Sequence, residues 1–85
     1  MQQRNRIALS PSTTGRIMFV NLYSDELLFA VNGKPYRVPA GRTVAIDNQP
    51  AGTFTYEVIS SVHGPLRRTT TVLSPSETVT ISAVQ

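Results

Sequence analysis

Turn-forming residues punctuate this chain at short, regular intervals, and no other sequence feature limits its fold as strongly. The clusters are Asn32-Gly33, Pro39-Ala40-Gly41, residues 48–52, His63-Gly64-Pro65 and Ser74-Pro75-Ser76. Proline and glycine both destabilise helices, so every candidate helix would be interrupted. Turn signals spaced about 8–12 residues apart, with β-branched and aromatic residues between them, are typical of an all-β sandwich or barrel.

Seven segments have the composition of strands: residues 16–22, 26–32, 35–38, 42–47, 53–59, 66–73 and 78–84. The first two are near-continuous apolar runs, as expected of strands that are covered on both faces. The first leaves open whether Ile17 and Phe19 or Met18 and Val20 point inward. The third contains a proline and is predicted to lie at a sheet edge. The sixth is polar in its middle and is predicted to be exposed or at an edge.

Strict alternation of apolar and polar residues predicts which side chains of three further strands point inward. These are Phe54, Tyr56 and Val58 in TFTYEVI, Val79, Ile81 and Ala83 in TVTISAV, and Val44 and Ile46 in RTVAID. The sequence therefore predicts an immunoglobulin-like, antiparallel β-sandwich of about seven strands over residues 16–85. Residues 1–15 are predicted to form a flexible basic arm or linker before it.

The tripeptide Pro-Ala-Gly occurs twice, at residues 39–41 and 50–52, on either side of the strand RTVAID. Proline fixes its own backbone angle and glycine accepts positive φ without steric cost, which suits type II turns. Nothing around the two copies repeats. Because no glycine-rich loop opens a helix, a phosphate-binding site is not supported. Each copy is interpreted as the turn before a strand.

The turns and strands together resemble small bacterial accessory β-sandwiches of the PEGA type. The matching positions are Val31-Asn32-Gly33, Val38-Pro39 and the stretch PAGTFTYEV at residues 50–58, within a similarity over residues 17–83. The resemblance implies a non-catalytic, often surface-associated module, and it transfers no binding residues. An extracellular or cell-surface location is the expectation that follows from it.

Size and composition exclude several classes of protein. A chain of 85 residues with no cysteine holds one domain and has no disulfides, thiolate metal sites or cysteine nucleophile. No apolar stretch approaches the length of a membrane span or of a signal-peptide core. The chain is thus expected either not to be exported or to be a piece of a larger secreted or surface protein.

Candidate catalytic and metal-binding groups are few. His63 is the only histidine and is expected in a turn, and its neighbours Ser60 and Ser61 are adjacent in sequence without any implied catalytic geometry. The five carboxylates do not follow a calcium-loop spacing. The sequence therefore predicts no enzyme activity, no cofactor and no metal site.

The sequence also contains features of two other kinds of binding protein. Lys34 and Arg37 flank Tyr36, and Arg67-Arg68 form a second basic pair, as in some single-strand nucleic-acid binders. The net charge is only +3 and there is no tryptophan, so no nucleic-acid partner is predicted. A glycan-binding accessory module is the alternative, and it would need exposed aromatic side chains.

The arm contains a short apolar run, Ile7-Ala8-Leu9, between basic residues and a Ser/Pro/Thr-rich link. Such a segment can add a strand to an exposed sheet edge of a neighbouring subunit. The predicted function is therefore a non-enzymatic structural or protein-interaction module that associates with copies of itself or with neighbouring domains. Its candidate contact residues are Ile7, Ala8, Leu9, Arg67 and Arg68, and a small viral decoration or tail subunit is a further alternative.

Overall fold

The structure, a computed structural model, describes residues 13–85, which form seven β-strands and no helix. The strands are β1 Thr14–Leu22, β2 Leu27–Val31, β3 Lys34–Val38, β4 Thr43–Pro50, β5 Gly52–Ser60, β6 Gly64–Leu73 and β7 Thr78–Val84. The predicted all-β class and all seven predicted strands are thus confirmed. The first strand begins at Thr14 rather than Arg16, slightly before the predicted domain boundary. Within this range, no helix has the length and hydropathy needed to cross a membrane.

The strands are divided between a three-stranded sheet, in the order β4-β1-β7, and a four-stranded sheet, in the order β3-β2-β5-β6. Neighbouring strands are antiparallel except β1 and β7, which are parallel from Arg16 opposite Thr78 to Leu22 opposite Val84. The prediction of a wholly antiparallel arrangement is wrong for this pair. A parallel pair needs a long connection, and the rest of the domain lies between β1 and β7.

The core lies between the two sheets. Ile17 and Phe19 of β1 point inward, and the Phe19 ring packs 5.0 Å from that of Phe29 in β2. Met18 and Val20 are only half-buried on the opposite face of β1. The prediction that this strand is covered on both faces is therefore wrong, because nothing in residues 13–85 forms a third layer over the three-stranded sheet.

The alternating strands place their side chains as predicted. Phe54, Tyr56 and Val58 of β5 and Ile81 and Ala83 of β7 are buried in the core. The half-buried residues that pack against the same core are Tyr23, Tyr36, Val44, Ile46, Leu66 and Val79. The predicted edge strand β3 and the edge candidate β6 lie at the two edges of the four-stranded sheet.

The two Pro-Ala-Gly copies have different geometries. In the first, the Arg42 amide donates to the Pro39 carbonyl at 3.1 Å and Gly41 has a φ of 69°, as in a type II turn with glycine at its third position. In the second, Ala51 alone separates β4 from β5. That copy is a corner at which the chain passes from one sheet to the other.

A buried asparagine holds the end of β1 in place. The side chain of Asn21 is fully buried, and its Nδ2 donates to the carbonyl oxygens of Asp25 and Val38 at 2.9 Å and of Pro39 at 3.2 Å. Its Oδ1 accepts from the Tyr23 amide at 2.8 Å. One side chain therefore joins the β1–β2 loop to the end of β3, and it satisfies backbone groups that would otherwise be buried without partners.

Candidate interaction surfaces

The outer face of the three-stranded sheet carries an apolar patch. We define this patch by Met18, Val20, Leu22, Ala45 and Val84, which the register places on the same face. Small uncharged residues flank it on β4 and β7, namely Thr43, Thr80 and Ser82. Depletion of charge around an apolar centre is the compositional signature of the core of a protein–protein interface.

The large exposed side chains of the patch are those of Leu22 and Val84. These side chains are 55% and 68% exposed, and they lie directly opposite one another in the β1–β7 ladder. Val62 and Val72 have equal exposures, 68% and 55%, but lie apart from each other, in the β5–β6 turn and near the end of β6. Single exposed apolar residues are ordinary, whereas contiguous ones mark contact surfaces.

One end of the patch is bounded by an ion pair. Arg16 Nε lies 2.6 Å from Asp47 Oδ1, and both side chains are more than half exposed. An exposed pair of this kind contributes about 0–1 kcal/mol to stability. The ion pair therefore adds little to the stability of the fold, and its main effect is to mark where the uncharged surface around the patch ends.

The outer face of the four-stranded sheet has a different character. Arg68 lies opposite Glu57 in the β5–β6 register, and Arg37 lies on the same face of β3. Next to the Glu57–Arg68 pair, on the side away from Arg37, the hydroxyls of Thr55 and Thr70 share a hydrogen bond of 2.9 Å. This face mixes these charged and polar side chains with Leu28 and Ile59, which are half-buried at its centre, and it places the predicted contact residue Arg68 in solvent.

Arg67 spans the open side between the sheets. Its guanidinium lies 5.4 Å from the centre of the Tyr56 ring, and its Nη2 donates to the Ser82 carbonyl of β7 at 2.9 Å. Below it is a hollow of about 210 Å³ lined by residues that include Val58, Leu66 and Ala83. Of the two predicted contact arginines, Arg67 is thus engaged within the chain and lies on the opposite face of β6 from Arg68.

The remaining predicted contact residues, Ile7, Ala8 and Leu9, lie outside the described residues. Of the five predicted contact residues, the described part of the chain contains only Arg67 and Arg68, and it places them on opposite faces of β6. Sequence reasoning missed the apolar patch, although its signal was present. Apolar residues occupy both alternation sets of β1, which in a two-layer domain leaves one set facing outward.

The histidine and serines that were weighed for catalysis form a turn. Ser60 is buried, and its Oγ donates to Asp25 Oδ2 at 2.8 Å while accepting from the amides of Val62 and His63 at 3.1 and 3.0 Å. His63 takes part through its backbone, and its side chain is exposed. The hydroxyl is thus committed to closing the β5–β6 turn.

Replacing Ser60 by alanine is expected to lower the free energy of unfolding by about 1–3 kcal/mol, because two turn amides and the Asp25 carboxylate lose a partner. Urea denaturation measures the loss. The exposed neighbour provides a matched control, since Ser61→Ala should change stability by less than about 0.5 kcal/mol. Equal effects of the two substitutions would contradict the assigned role.

The structure also shows the surroundings of the carboxylates and of the aromatic residues. Over residues 13–85, no group of three or more His, Asp or Glu side chains could hold a metal ion. Lys34 lies 5.6 Å from the centre of the Tyr36 ring, and that ring packs on Phe19 with centroids 5.5 Å apart. All six aromatic residues fall in the described range, where four are buried and two are half-buried. Tyr36 therefore packs into the domain and is not a free stacking platform.

Comparisons with known proteins identified no relative of this chain. No family model, no curated protein and no solved structure was found to match the chain. The resemblance to PEGA-type modules consequently stays a prediction.

Proposed function

We propose that this chain is a non-enzymatic, immunoglobulin-like module that acts by binding protein surfaces, including copies of itself. The observation that carries the proposal is the apolar patch on the outer face of the three-stranded sheet. Its centre is apolar and its flanks are small and uncharged. On the other outer face, by contrast, the apolar residues Leu28 and Ile59 lie among Arg37, Glu57 and Arg68. A setting in a secreted, surface or virion protein is part of the same proposal.

The size of the patch indicates how strong such an association is. Three strands about 4.8 Å apart, each contributing roughly 15 Å of length, present a surface on the order of 200 Å². A stable complex buries about 800 Å² on each partner. The patch alone therefore supports weak association, and tight association needs a second surface beside it, such as a strand edge or the segment Ile7-Ala8-Leu9.

The proposal predicts that charge on the patch prevents association. The double variant Leu22→Lys/Val84→Lys is expected to weaken self-association about tenfold or more, because two lysines would have to be desolvated in the contact. The measurement is the solution mass of the full chain by light scattering over a wide concentration range. A monomer has a mass of 9.3 kDa.

The control is Val72→Lys/Val62→Lys, since these valines match Leu22 and Val84 in exposure and lie off the patch. It adds the same charge and should leave the mass unchanged. A wild-type chain that stays monomeric at every concentration would refute self-association, and equal effects of both double variants would refute the patch. Closed rings or trimers would instead favour the viral-subunit alternative.

A further inference from the structure

The four edge strands of the described domain differ in how well they are protected against pairing with another strand. β3 is short and contains Pro35, β6 contains Pro65 and Arg68, and β4 contains Asp47 followed by Asn48 with a φ of 56°. Prolines, charges and backbone irregularities are the devices that prevent edge-to-edge pairing. β7 has none of these in its own sequence, TVTISAV.

Backbone directions show which groups of β7 point away from the sheet. The Arg16 amide donates to the Glu77 carbonyl at 2.9 Å. The backbone N–H and C=O groups of the odd-numbered residues in and just before β7 therefore point toward β1. Because directions alternate along a strand, the N–H and C=O groups of Thr78, Thr80, Ser82 and Val84 point toward the edge. The Ser82 carbonyl agrees with this, since it accepts from Arg67, which reaches it from β6.

We propose that the free edge of β7 pairs with the β7 edge of a second copy of this chain, antiparallel and centred on Ile81. This inference rests on the proposed function and names one partner for it. In that register Thr80 lies opposite the partner subunit's Ser82, and both residues direct their backbone groups at each other. No charged residue meets another, and the overlap extends over the whole of β7.

The pairing also joins the two apolar patches. A two-fold axis perpendicular to the sheet relates antiparallel copies of β7 and keeps the outer faces on the same side. The result is a six-stranded sheet that presents both apolar patches on one face, with the hydroxyl side chains of Thr80 and Ser82 between them.

Arg67 is the residue that limits this pairing. Its guanidinium donates a hydrogen bond to the Ser82 carbonyl oxygen, which in the proposed pairing would accept from the partner strand instead. That hydrogen bond is single and solvent-exposed. Displacing it is therefore easy, and removing it should favour association. Arg67→Met keeps the aliphatic stem beside Tyr56 and removes the donor, so it is expected to strengthen self-association several-fold.

The test compares two double variants of the full chain. Thr80→Lys/Ser82→Lys places like charges opposite each other in the proposed register and should weaken self-association about tenfold or more. Val62→Lys/Val72→Lys adds the same charge away from both the patch and the β7 edge, and it should leave association unchanged. Light scattering over a concentration series gives the mass of each variant.

Hydrogen exchange measured by NMR gives a second readout. The amides of Thr80 and Ser82 should become protected as the concentration rises, whereas the amide of Ala45 at the β4 edge should not. If the chain self-associates while Thr80 and Ser82 exchange at a constant rate, the edge proposal is overturned and the proposed function stands. A chain that never self-associates overturns the edge proposal and the self-association part of the proposed function.

The segment Ile7-Ala8-Leu9 is the competing occupant of this edge. The variant Ile7→Asp/Leu9→Asp should leave the β7 pairing intact, because the pairing uses no residue of that segment. Loss of association in this variant would show that the segment, and not the partner's β7, is the connector, and it would overturn the proposal.

Discussion

Replacing Asn21 by aspartate is expected to lower the free energy of unfolding by about 3 kcal/mol or more. The substitution exchanges a donor for an acceptor opposite the carbonyls of Asp25, Val38 and Pro39, which now receive hydrogen bonds from Nδ2. It also places a carboxylate at a fully buried position. For a domain whose total stability is of order 5–15 kcal/mol, this is a large fraction.

Urea denaturation at neutral pH measures the loss, and a second asparagine provides the control. Asn32 uses only its Oδ1, which accepts from the Thr55 amide at 3.0 Å. Aspartate keeps that acceptor, so Asn32→Asp should cost less than about 1 kcal/mol. If the same chemical change has the same effect at both positions, Asn21 does not hold the loops together as inferred.

Replacing Gly15 by alanine should cost about 2–3 kcal/mol, through steric conflict and not through backbone strain. A Cβ at this position would lie 2.7 Å from the Glu77 carbonyl oxygen and 2.9 Å from Leu73 Cδ1. The Glu77 carbonyl accepts from the Arg16 amide, so it cannot retreat without disturbing the start of the β1–β7 ladder. Leu73 is buried in the core and has little room to move.

Thermal or urea unfolding measures this loss of stability. Gly41 provides the control, because an alanine there would meet backbone strain but no steric conflict. Gly41 has a φ of 69° and no atom within 4 Å of a built Cβ, so Gly41→Ala should cost about 1 kcal/mol for conformation alone. The loss at Gly15 should be clearly larger. A change below about 0.5 kcal/mol at Gly15 would show that β1 can move away from β7 there.

The strands were predictable because their signals are local. Alternation in TFTYEVI determines which side chains face inward wherever the strand lies, and turn residues mark where strands end. Sheet order is not local. Nothing near β1 in sequence indicates that it lies between β4 and β7, since both pairings join residues that are distant in the chain.

The candidate surfaces were harder to predict for a related reason. In β1, apolar residues occupy both the inward-facing and the outward-facing positions. This pattern is expected of a strand that is covered on both faces, and equally of a strand with one exposed apolar face. Only the three-dimensional arrangement distinguishes the two, and it does so by leaving Leu22 and Val84 exposed side by side. The role of Asn21, in the same apolar run, was hidden for the same reason. Its hydrogen-bond partners Asp25, Val38 and Pro39 belong to other segments of the chain.

The parallel pairing of the first and last strands has a mechanical consequence. Because β1 and β7 run in the same direction, the chain enters the three-stranded sheet at one end and leaves it at the other. A tension applied between those two points acts along the β1–β7 ladder, so that its hydrogen bonds are loaded together in shear and are not opened one after another. Modules joined end to end in this way would form a line along the strand direction, with each one bearing the load lengthwise.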